Sequence, residues 1–77
     1  MEFMVDLNRV EDVKEFVRIA GMYDTNIIVG SQDRNFAVDG SSLMGIFSLD
    51  LSNPVVVKIS DKDIGEIFKE DIEKFVM

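Results

Sequence analysis

Asp39-Gly40-Ser41-Ser42-Leu43-Met44-Gly45-Ile46-Phe47-Ser48-Leu49 joins the end of an apolar strand to a short apolar helix. The strand stops at a glycine turn, two hydroxyl side chains follow, and Leu43, Met44, Ile46 and Phe47 then fall at helical spacing. Ser42 is placed as the N-cap of that helix, where its side-chain oxygen accepts from backbone N–H groups that have no partner inside the helix. An anion put there would also meet the positive end of the helix dipole.

Upstream, residues 2 to 7 set Phe3, Val5 and Leu7 on one face at period two, which predicts a half-buried strand. From Val10 the period changes. Val10, Val13, Phe16, Val17 and Ala20 form an apolar stripe, and Glu11, Asp12, Lys14, Glu15 and Arg18 supply the wet face. Asn8 is predicted as the N-cap, with Glu11 three residues on as its capping-box partner, and Gly21 as the stop. Asn26-Ile27-Ile28-Val29 and Asn35-Phe36-Ala37-Val38, separated by the polar turn Gly30 to Arg34, predict a hairpin.

Downstream, Asp50 to Asn53 form a loop and Pro54 opens the strand Val55-Val56-Val57-Lys58-Ile59, since proline is tolerated at a strand's first position. Ser60 and Asp63 predict a second capping box. Ile64, Ile67, Phe68, Ile72 and Phe75 mark the apolar side of a closing helix that ends near Met77. The order is β-α-β-β-α-β-α, an α+β chain whose helices lie on one face of a four-stranded antiparallel sheet. A ferredoxin-like arrangement satisfies the same pattern.

Seventy-seven residues make one small domain, 1–77, which buries about 60% of its unfolded surface. Hydrophobic residues are 47% of the chain, enough for a core. Acidic residues outnumber basic ones 15 to 8, a formal charge of −7, so nucleic acid and anionic membrane are unfavourable partners. No cysteine is present, which excludes disulfides and Cys-ligated zinc. No stretch reaches the roughly 18 apolar residues of a membrane span, and the expectation is a monomeric cytoplasmic protein without cofactor.

The run Ser42-Leu43-Met44-Gly45-Ile46-Phe47-Ser48-Leu49 resembles the second-helix signature of HPr, the small phosphocarrier of the bacterial sugar phosphotransferase system. Ile19-Ala20-Gly21-Met22-Tyr23-Asp24 is similar to the end of that family's first helix, at nearly the right distance upstream. The resemblance implies an open-faced β-sandwich of four strands and three helices over almost the whole chain. It also implies partners among the phosphotransferase-system proteins or their regulators.

The family carries its phosphoryl group on a histidine in a Gly-x-His-Ala-Arg-Pro motif between the first strand and first helix. This chain has no histidine. Counted back from Tyr23, the histidine position falls on Arg9, the arginine on Glu11 and the proline on Asp12. Matched through the first strand instead, the connecting loop is about three residues short. Either way the imidazole that attacks phosphorus is missing, and Arg9, always protonated, is no nucleophile. The expectation is therefore a non-enzymatic, protein-binding or regulatory module with no catalytic residue. The alternatives are a relay through a substitute acceptor, Ser42 or Glu11 and Asp12, and reuse of the fold for an unrelated interaction.

Two further assignments follow from the resemblance. Ser42 matches the serine that a dedicated kinase modifies in many HPr proteins of low-GC Gram-positive bacteria, and its structural alternative is a plain helix cap. Leu43, Met44 and Phe47 match the family's docking surface on the second helix. Leu43 and Phe47 share a helical face, so that pair is exposed if Met44 and Ile46 point inward, and in the alternative all four are core. The acidic run Asp61, Asp63, Glu66, Glu70, Asp71, Glu73 departs from a calcium loop, because Gly65 comes one place early and Ile72 stands at the twelfth position. No metal is expected there, and the run reads as a solvated helix face.

Overall fold

Side-chain alternation places one face of each strand in the interior. In the computed structural model, which describes every residue except Arg34, the elements are β1 (Glu2–Val5), α1 (Val10–Ala20), β2 (Ile27–Gly30), β3 (Ala37–Asp39), α2 (Leu43–Phe47), β4 (Val55–Ile59) and α3 (Lys62–Asp71), followed by a 3₁₀ turn at Glu73–Phe75. Arg34, assigned above to the hairpin turn, lies outside the described residues. The sheet order is β1-β4-β2-β3, with every neighbouring pair antiparallel. The β-α-β-β-α-β-α order and the helices on one side of an open-faced sheet are as the sequence predicts.

Register puts Phe3, Val57, Val29 and Val38 in one row across the covered face. On them pack Val13, Phe16, Ile19 and Ala20 of α1, Ile46 of α2, and Phe68 of α3. Phe16 and Phe68 meet edge to face at 5.5 Å between centroids, and Tyr23 meets Phe68 at 5.3 Å. That contact ties α1 to α3 above the sheet, and truncating either phenylalanine to alanine removes about 3–5 kcal/mol.

Several helix ends differ from the sequence reading. The first helix is capped at Arg9, not Asn8, and no side chain bonds its N-terminus. Helical backbone begins only at Val10, so Asn8 stands one residue too early to reach the free N–H groups. Gly21 ends α1 in right-handed backbone geometry, so its left-handed freedom is unused. The cap of α3 is Asp61, which accepts from the N–H of Ile64 at 3.1 Å and displaces the expected Ser60 and Asp63 box.

The closing helix is also shorter than expected. After Asp71 the chain tightens into the 3₁₀ turn, then extends so that Val76 bridges Val5. Asp6 N–H donates to the Phe75 carbonyl at 2.9 Å, and Met77 N–H to that of Met4 at 3.1 Å. The C-terminus thereby covers the outer edge of β1, hydrogen-bonding groups that an edge strand would otherwise leave open. Two stripe positions are exposed: Val10, because it opens its helix, and Ile67, one step round α3 from buried Phe68.

Candidate functional site

Two glycines set α2 close to the sheet. At Gly40 an added Cβ would stand 2.8 Å from Ile27 Cγ2, and Gly40 N–H donates to the Ile27 carbonyl at 2.6 Å, so the turn after β3 lies flat on β2. At Gly45 a Cβ would come within 3.0 Å of both Ser42 Oγ and Val38 Cβ. A side chain at Gly40 would force a shift, and one at Gly45 would need its neighbours to give by a few tenths of an ångström. Ser42 is the N-cap as expected, and its Oγ accepts from Gly45 N–H at 3.1 Å.

Ile46 is fully buried and fixes which way the helix faces. At 3.6 residues per turn, Leu43 lies about 60° from that inward direction, Phe47 about 100° and Met44 about 160°. Exposure follows these angles: Leu43 is half-buried against the core, Phe47 is 40% exposed and Met44 79% exposed. The condition for an exposed Leu43 and Phe47 pair, Met44 and Ile46 both inward, is not met, and neither is the all-core alternative, because Ile46 is buried and Met44 is not. The exposed pair is Met44 and Phe47, and anchoring the helical wheel on Ile46 would have found it.

Asp39 and Asp50 flank the helix and were not singled out from the sequence. Asp39 Oδ1 accepts from the Ser41 N–H at 2.8 Å and hydroxyl at 2.6 Å. Asp50 Oδ1 accepts from the Ser52 N–H at 3.1 Å and hydroxyl at 2.5 Å. The serine hydroxyls first, then the backbone N–H groups, hold both carboxyls below the usual carboxylate range. The signal was the twice-used Asp-x-Ser, an Asx-turn spacing.

The remaining candidates are dispersed. Arg9 and Glu11 form a long, exposed pair at 3.7 Å, and Asp12 is half-buried on the next helical position. Among the described residues their one ion pair is that of Arg9 with Glu11, short of the several cations that a transferring phosphoryl group needs. On the open face of the sheet, Ile28, Phe36, Ala37 and Val56 line a hollow of about 130 Å³ over Gly30. Its charged lining is the exposed Glu2 and Lys58, 4.0 Å apart, which gives no convergent chemistry. No described helix is long and apolar enough to cross a membrane.

No protein-family model and no curated protein matches the chain. Solved structures do match in fold. The phosphocarrier protein HPr from Bacillus anthracis str. Ames superposes with a TM-score of 0.72 at 19% identity, covering 100% of this chain and 96% of that one. HPr-C-His from Thermoanaerobacter tengcongensis gives a TM-score of 0.69 at 25% identity, over 96% of this chain and 83% of that one. The chain has an HPr-like fold.

Proposed function

We propose that this HPr-like chain is a non-enzymatic protein-binding module that docks through α2 and carries no phosphoryl group on histidine. The observation that carries this reading is the outward direction of Met44, whose flexible thioether stands 79% exposed beside half-turned Phe47. A large apolar side chain held outward on a helix packed against the core suits a partner surface better than it suits solvent. The absence of histidine removes the family's acceptor while leaving this surface in place. Partners of this reading are phosphotransferase-system proteins or a regulator.

Ser42 is the candidate switch. A phosphoryl group on its Oγ would add up to two negative charges next to Met44 and would compete with the cap bond to Gly45. Pull-down with the purified chain tests the docking surface. Met44→Asp and Phe47→Asp are expected to lose the partner while Ile67→Asp, on exposed α3 surface, keeps it. Retention by the α2 variants with loss at Ile67 would favour an unrelated interaction role for the fold.

A further inference from the structure

In the chain, α2 stands between two aspartates whose side chains are held in turns, Asp39 before it and Asp50 after it. Asp39 ends β3 three residues before the cap Ser42, whose N–H donates to the Asp39 carbonyl at 3.0 Å. Asp50 follows Phe47 by three residues at the other end. Both side chains are exposed, and each is held in one orientation by a serine two residues on. Between Asn35 and Val57 the sequence has no lysine or arginine, and no ion pair among the described residues reaches either carboxylate. Among the described residues, neither charge is compensated by an ion pair.

These charges restrict the occupant. A second copy would bring another −7 and two more carboxylates to the same face, and a nucleic acid or anionic lipid surface would be repelled. Met44 and Phe47 need an apolar pocket, and the flanking carboxylates need cations on both sides of it. We propose that the partner of this face is a protein surface whose apolar pocket takes Met44 and Phe47 and whose lysine or arginine side chains meet Asp39 and Asp50. This rests on the reading of α2 as the docking surface and adds the sign of the partner's charge.

Two synthetic helical peptides of equal leucine content test it, one with lysine and the other with glutamate at every polar position. Each is titrated into the isotope-labelled full chain while amide and Met44 methyl shifts are followed. The lysine peptide is expected to shift residues 43 to 50 and the glutamate peptide to leave them unchanged. Asp39→Asn and Asp50→Asn keep the side-chain oxygen that accepts from Ser41 and Ser52, so the turns survive; each is expected to weaken the lysine peptide roughly two- to fivefold. Equal binding of both peptides at α2, or unchanged affinity in both Asn variants, overturns the charge assignment and leaves α2 docking intact. Lysine-peptide shifts confined to Glu66 and Glu70 on α3 overturn it as well. If neither peptide moves α2, the charge assignment and the docking reading it rests on fail together.

Discussion

Ser42 Oγ accepts the backbone N–H of Gly45 at 3.1 Å, and the glycine is what allows the two to sit so close to Val38 on β3. The cap bond fixes the start of a five-residue helix, and Gly45 lies against the sheet beside it. Replacing Ser42 by alanine leaves that N–H without its partner and is expected to lower stability by about 1 kcal/mol, with Ser42→Gly costing only a few tenths. Urea unfolding midpoints of the two variants check the ranking.

Met44 and Ile46 are near neighbours in sequence with opposite roles. Ile46→Ala opens a cavity in the core and is expected to cost about 2–4 kcal/mol, whereas Met44→Ala is expected to change stability by less than about 0.5 kcal/mol. The same denaturant series separates them. Equal costs would mean that Met44 is packed.

Tyr23 gives the chain an alkaline pH dependence. Its hydroxyl donates to Asp71, and burial, then the Asp71 bond and charge, push its pKa up to about 12. The unfolded tyrosine loses its proton near pH 10, so between about pH 10 and pH 12 the folded state binds the proton more tightly than the unfolded. Stability from this group is complete below that window and falls as pH rises through it. Tyr23→Phe is expected to flatten this part of the profile, measured as the difference between the two chains' unfolding free energies.

The relay alternative has its own test. Incubation with enzyme I and labelled phosphoenolpyruvate is expected to leave no label on the chain, because Arg9, Glu11 and Asp12 assemble no nucleophile with charge stabilisation around it. Acid-stable label on Ser42, or acyl phosphate on Glu11 or Asp12, would restore the carrier reading.

The fold was legible because most positions obey their periods: Val5 and Leu7, and Val13 with Phe16, are buried where alternation or helical spacing put them. The ends were less legible. Asn8 and Ser60 are good cap residues, yet helical backbone begins one position later than they require, and the caps fall at Arg9 and Asp61. The split of the last helix depended on a long-range bridge between Val5 and Val76, which no local pattern reveals. At α2, five residues are too few for periodicity to define the inward side, which left open which of Leu43, Met44 and Phe47 are exposed; buried Ile46 decides it.

Photo-crosslinking tests the docking face most directly. A benzophenone amino acid placed in turn at Phe36, Met44 and Ile67 reports contacts of the open sheet face, α2 and α3, all three positions being exposed. Adducts with one partner at position 44, and none at 36 or 67, are the expected result. Adducts with that partner at 36 or 67 and none at 44 would contradict docking through α2.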